Sequence, residues 1–198
     1  MFTVPNVLTA LRLVALPFVI VLHRTGRAGP ATLLFVAAML TDCFDGWLAR
    51  KLNQTSTLGL YLDPAVDKIV ILALFYEFGA GRLLPMSIPH LFLVRELLLN
   101  GVRAAAASQG CIVGANWMGK TKAGLQSILI AGGLAMPLFA AHVYPDNLSG
   151  IEETWRAGCR LVLVLSWVFL GTFMVRNRHL FRQHTDARAA PHRNGVRG

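Results

Sequence analysis

The chain reads as an all-α integral membrane bundle of six transmembrane helices, and three observations carry that reading. Of its 198 residues, 55% are hydrophobic and only 15% are charged. The mean hydropathy is +0.53, which suits a chain dissolved in lipid better than a soluble domain. Apolar runs of near-spanning length recur along it, separated by polar or Pro/Gly breaks. One membrane domain is expected over residues 1–178, followed by a basic, disordered cytoplasmic tail over 179–198.

The first expected span is Leu8 to Leu22. A secretory signal is the competing reading, but no Lys/Arg-rich start precedes the apolar run, Arg12 lies inside it and no small-residue cleavage site is evident. A retained helix is therefore expected. Asn6, Thr9 and Arg12 recur every third residue and form a slowly rotating polar stripe on this helix. That stripe suits contact with a lipid head group or diphosphate, and the alternatives are a helix cap at Asn6 and a snorkelling Arg12.

The second span, Ala31 to Ala49, carries Asp42 and Asp45 near its end, with Arg50 just beyond. For the third, Pro64 to Phe78, Asp63 before Pro64 fits an N-cap followed by a first-turn proline, with Asp67 one turn later. Gly59 reads as a helix-breaking or close-approach position just ahead of it. Pro89 to Ala107 is the fourth span, interrupted by Arg95, Glu96 and Arg103. Ala123 to Ala141 and Arg156 to Val175 complete the set.

The net charge of +9 comes from basic residues scattered between spans or gathered in the tail, without aromatic interleaving. Membrane lipid is the expected partner, and no nucleic acid. After Val175 the tail carries Arg176, Arg178, Arg182, Arg188, Arg193 and Arg197 against Asp186 alone. The positive-inside bias then puts both termini, Arg50/Lys51 and Lys120/Lys122 in the cytoplasm, with an acidic loop of Asp146, Glu152 and Glu153 outside. Arg24 and Arg27 run against that orientation. Cys43, Cys111 and Cys159 have no CxxC spacing and read as buried thiols, and the dispersed histidines, including His179, His184 and His192, read as no metal site.

Within this apolar frame lies DxxDGxxARx8GxxxDxxxD, formed by Asp42, Asp45, Gly46, Ala49, Arg50, Gly59, Asp63 and Asp67. It holds four of the ten acidic residues of the chain. Carboxylates cost roughly 2.5 to 3.5 kcal/mol each at the centre of a spanning helix, so such a cluster needs a compensating partner. Carboxylate oxygens are hard ligands, which points to Mg²⁺ or Mn²⁺ rather than zinc. On a helix Asp45, Gly46 and Ala49 fall about 60°, 40° and 20° from Asp42, so acids and small residues share one face. Gly46 and Gly59 leave room for a bulky ligand to approach the backbone. Arg50 is placed as a phosphate ligand or a charge partner of the aspartates, with interface snorkelling as its alternative.

This motif resembles, position by position, that of the CDP-alcohol phosphatidyltransferase family. The resemblance implies that Asp42, Asp45 and Asp63 are metal ligands, that Asp67 also contacts metal and that Asp67 is the general base. It further implies a CDP-linked lipid bound near Asn6, Thr9, Gly46, Ala49, Arg50 and Gly59, CMP as leaving group, and a homodimer. Three further stretches, PNVLTALRLVALP, LDPAVDKI and VRELLLNGVRAAAASQG with MGKTKAGLQ, resemble the branch that makes phosphatidylglycerophosphate from CDP-diacylglycerol and glycerol 3-phosphate. The resemblance runs over about residues 4 to 126.

By the same resemblance Arg95, Arg103 and Lys120 match positions that bind the acceptor phosphate. The alternative is that Arg95 pairs with Glu96 or Glu77 and that the lysines only enforce topology. Lys68 reads as a local ion-pair or interface residue, not a catalyst, and Gly101, Gly114 and Gly119 as packing or turn residues. Two other functions stay open: the same donor with phosphatidylglycerol or an inositol phosphate as acceptor, and a small cation transporter. Transport gives no reason for the DGxxAR and GxxxD context around the acids. An active site facing the cytoplasm, in the inner membrane, follows from the orientation.

Overall fold

The computed structural model describes residues 4–52, 57–108, 117–142 and 145–176, and side chains over 9–41, 64–108, 121–141 and 147–176. Six helices account for them: α1 (Val4–Arg24), α2 (Ala28–Leu52), α3 (Thr57–Ala80), α4 (Ser87–Ser108), α5 (Trp117–His142) and α6 (Pro145–Arg176). Each expected span lies inside one of these helices. The shortest has 21 residues, about 31 Å at the α-helical rise, which matches a hydrocarbon core of about 30 Å. Among the described residues two segments are long and apolar enough to cross a membrane, Thr121–Ala141 and Asn147–Arg176, while the apolar part of α2, Ala28–Thr41, is shorter. In α4 the apolar run is broken by Arg95, Glu96 and Arg103.

Neighbouring contacts fix the helix directions. Arg12 pairs with Asp67 and, further along both helices, Arg24 Nη2 donates to Glu77 Oε2 at 2.7 Å, so α1 and α3 run the same way. Lys68 reaches Asn100 and Phe75 stacks on Phe92 at 4.9 Å, which makes α3 and α4 antiparallel. Ser127 against Met39, and Leu138 beside Gly29, set α5 antiparallel to α2. Trp155 lies against Gly132 while Gly158 meets Leu129, so α6 runs against α5. The result is an up-and-down bundle with the N-terminal ends of α1, α3 and α5 together. The three-residue link between α1 and α2 turns at Gly26, whose φ of 76° is a left-handed value that glycine adopts without strain.

The outer surface is apolar, the reverse of a soluble protein. Phe18 is 60% exposed, Leu33 71% and Ile128 69%. The inner packing divides lengthwise. Toward the C-terminal end of α3, Leu74, Phe75, Phe78, Phe92, Ile130 and Leu134 are fully buried. Trp155 closes this core edge-on to Phe78 at 5.5 Å, its Nε1 donating to the Leu129 carbonyl at 2.7 Å. Gly133 makes the approach possible, because a Cβ there would come within 2.6 Å of Trp155 and 2.7 Å of Phe78.

Three expectations are corrected. Helix α3 starts at Thr57, so Pro64 lies inside it and Asp63 is a helical residue, not an N-cap. Gly59 falls in the first turn of α3 and breaks nothing. Lacking an N–H, Pro64 leaves the Leu60 carbonyl without its ladder donor, and the helix continues through it. Asp146, Glu152 and Glu153 belong to α6, whose 32 residues span about 48 Å and overhang a bilayer core. Arg24, which seemed misplaced, is bound by Glu77; hydrogen bonding to that carboxylate, then its charge, raises the Arg24 pKa above its ordinary value.

Candidate active site

All four motif aspartates fall at one end of the bundle by backbone position. Asp42 and Asp45 lie in the C-terminal part of α2, Asp63 and Asp67 in the N-terminal half of α3, and α1 packs against both helices. Antiparallel α1 and α2, with α3 parallel to α1, bring those two regions to the same level. The side chains of Asp42, Asp45, Gly46, Ala49, Arg50, Gly59 and Asp63 lie outside the described residues, as do those of Asn6 and Lys120. Cys43, Cys111, Gly114, Gly119 and the tail also lie outside them, as far as side chains are concerned.

Asp67 is described, and its carboxylate takes a guanidinium N–H of Arg12 on α1. Arg12 is buried, only 4% exposed, as is Thr9 one turn before it. Thr9 and Arg12 of the polar stripe thus face the bundle interior, and Arg12 does not snorkel. A buried arginine holding a half-exposed carboxylate fixes the direction in which that carboxylate points.

One residue further on α3 begins a second network, joining four helices and buried except at Lys68 and Asn100. Lys68 donates to Asn100 Oδ1 at 2.7 Å and lies 3.7 Å from Glu96 Oε2. Arg95 Nη1 donates to Glu96 Oε1 at 2.7 Å, and its Nε to the Ser166 carbonyl of α6 at 3.1 Å. Lys122, from α5, donates to the same Glu96 Oε1. Arg95, Glu96 and Lys122 are all buried. Arg103 lies about two turns beyond Glu96 on the same helix face. It sits 6.0 Å from the Phe173 ring centre, and its Nε is buried without a hydrogen-bond partner.

Of the residues expected to hold the acceptor phosphate, Arg95 is thus in a cationic cluster with Glu96 as its immediate partner. Lys122 and Glu96 were not singled out in the sequence as site residues. Lys120 and Lys122 are equally basic there and stand about 200° apart on a helix; Lys122 joins the network, while the Lys120 side chain lies outside the described residues. Lys68 forms the ion pair expected of it. Cys159 is buried in the apolar half, as expected of a structural thiol.

Residues 2–157 match the family model for CDP-alcohol phosphatidyltransferase. The chain belongs to the CDP-alcohol phosphatidyltransferase family. It is 36% identical over 171 residues to the CDP-diacylglycerol–glycerol-3-phosphate 3-phosphatidyltransferase of Cereibacter sphaeroides, covering 81% of this chain and 75% of that one. The proteins of the same name from Wigglesworthia glossinidia brevipalpis and Escherichia coli strain K12 are 35% identical over 136 residues and 32% over 137. Those alignments cover 64% and 66% of this chain, and 74% and 75% of the relatives.

As a member of this family the chain is a phosphotransferase enzyme, of a kind that depends on a divalent cation. Its donor set fits such an ion: four aspartates, from two helices that reach the same end of the bundle, supply only hard oxygen ligands. Among the described residues alone no group of three or more potential ligands forms a metal site.

Proposed function

We propose that this chain is an integral membrane enzyme of six transmembrane helices that transfers the phosphatidyl group of CDP-diacylglycerol to sn-glycerol 3-phosphate. The products are phosphatidylglycerophosphate and CMP. The observation that carries the choice of acceptor is the buried network in which Lys68, Arg95 and Lys122 surround one carboxylate, next in sequence to Asp67. An excess of buried cations is costly in an apolar bundle unless an anion joins them, and a phosphate ester is such an anion. The names of the relatives agree with this reaction.

In the mechanism the acceptor phosphate binds the cations, and its hydroxyl lies toward Asp67. The hydroxyl oxygen attacks the phosphorus that carries the diacylglycerol, its proton passes to the Asp67 carboxylate, and the bond from that phosphorus to the CMP oxygen breaks. Arg12 holds the Asp67 carboxylate in place for that transfer. Asp42, Asp45, Asp63 and Asp67 would hold Mg²⁺ or Mn²⁺, which when bound neutralises charge on the diphosphate and on the departing CMP. By the family resemblance Asn6, Thr9, Gly46, Ala49, Arg50 and Gly59 would contact the CDP-lipid. The enzyme is a homodimer in the lipid bilayer of the inner membrane, with its active end facing the cytoplasm. Residues 1–178 form the enzyme domain and 179–198 the basic tail.

The test is CMP release by purified protein in detergent with CDP-diacylglycerol and Mg²⁺, with glycerol 3-phosphate, an inositol phosphate or phosphatidylglycerol as the single acceptor. Release confined to glycerol 3-phosphate and lost in Arg103→Ala supports the proposal. Release with another acceptor retains the phosphatidyl transfer and overturns the acceptor.

A further inference from the structure

Glu96 is the one carboxylate in the network, and both of its oxygens are engaged. Oε1 accepts from Arg95 and from Lys122, while Oε2 faces Lys68 at 3.7 Å. It is buried, so water does not satisfy it in their stead. Three cations thus converge on this one carboxylate. Its effect is on the cations. They come from three helices, α3, α4 and α5, and without a shared anion their mutual repulsion in an apolar interior drives them apart.

Secondary contacts complete the placement. Arg95 is tied to the Ser166 carbonyl and Lys68 to Asn100, so each of these two cations is held from two sides. Asn100 and Arg103 follow Glu96 by four and seven residues and share its face of α4. The carboxylate therefore lies at the base of a basic stripe that continues toward Arg103, whose guanidinium Nε has no hydrogen-bond partner. Among the described residues no carboxylate pairs with Arg103, so the surplus of positive charge points along that stripe.

We infer that Glu96 is a positioning residue for the acceptor phosphate: its single carboxylate holds Lys68, Arg95 and Lys122 in one fixed array that the phosphate meets already formed. This rests on the proposed transfer to a phosphorylated acceptor and adds to it the group that organises the phosphate site. Preorganisation of this kind raises affinity by removing the cost of ordering the cations on binding.

The experiment compares wild type, Glu96→Gln and Glu96→Asp as full-length protein in detergent. It records kcat, KM for glycerol 3-phosphate, KM for CDP-diacylglycerol and the inhibition constant of inorganic phosphate against the acceptor. Glu96→Gln is expected to raise KM for glycerol 3-phosphate and the phosphate inhibition constant together by about tenfold, with kcat at saturating acceptor and KM for CDP-diacylglycerol within about twofold of wild type. Glu96→Asp keeps the charge with a shorter reach, and an intermediate rise of about threefold is expected. It carries the test alone if Glu96→Gln does not fold. Unchanged or tighter phosphate binding in the variants overturns the inference, as does an equal loss in both KM values and kcat, the mark of general structural damage. If wild type uses a different phosphorylated acceptor, the acceptor assignment fails while the inorganic-phosphate readout still decides the role of Glu96.

Discussion

The two halves of α3 face the same helices but are built on opposite principles. Toward its C-terminal end, Leu74, Phe75 and Phe78 interlock with Phe92, Leu134 and Trp155, and the charge there, Glu77, is matched by Arg24. Toward its N-terminal end, Asp67 and Lys68 open onto Arg12, Arg95, Glu96 and Lys122, and among these described residues cations outnumber carboxylates. In the first half the packing is mainly apolar, and the buried Glu77 is matched by its partner Arg24. In the second, buried charge is retained at a cost in stability, which marks the half where chemistry occurs. A transferase needs both: the dry half fixes helix positions, and the charged half uses that fixity.

The sharpest way to break this comparison is Asp67→Asn. It is expected to lower kcat by about a thousandfold, as removal of a general base does, while thermal unfolding in detergent still reports a folded protein. Unaltered turnover would remove Asp67 as the base. Phe78→Ala should do the converse, costing about 3 to 5 kcal/mol of stability through the cavity left beside Trp155, with KM for both substrates unchanged in the protein that remains folded. A changed acceptor KM would mean that the two halves are coupled.

Smaller substitutions sharpen the boundary. Gly133→Ala places a methyl group against Trp155 and Phe78, and overpacking of this kind costs about 1 to 3 kcal/mol, read as a lower unfolding temperature. Glu77→Gln removes the charge that binds Arg24 and should lower the unfolding temperature by less than Phe78→Ala, with acceptor and donor KM unmoved. Gly124→Ala, on the same helix as Gly133 but with open space around it, is expected to be neutral or to stabilise by up to about 1 kcal/mol through helix propensity.

Much of this was legible in the chain before folding. The apolar runs that became α1 to α6 were identifiable from composition, because lipid and a packed interior both demand hydrophobic side chains over a spanning length. Helix ends were less legible. Asp63–Pro64 has the chemistry of a helix start, yet the helix runs seven residues earlier, because tertiary packing and a continuing apolar sequence outweigh one lost hydrogen bond. The acidic stretch at Glu152 and Glu153 has the charge of a loop, yet i, i+4 and i, i+3 pairs with Arg156 support it as helix.

The sequence by itself determined the class of protein, the spacing of the aspartates and the basic residues available to the site, since each follows from local composition and register. Only the tertiary structure decided partners. Arg24 with Glu77, Arg12 with Asp67, and Lys122 with Glu96 are each separated by 26 or more positions. A buried charge in an apolar bundle is costly without a counter-charge, but which one it reaches depends on helix direction and rotation, and those are fixed by packing across the whole bundle rather than by any one segment.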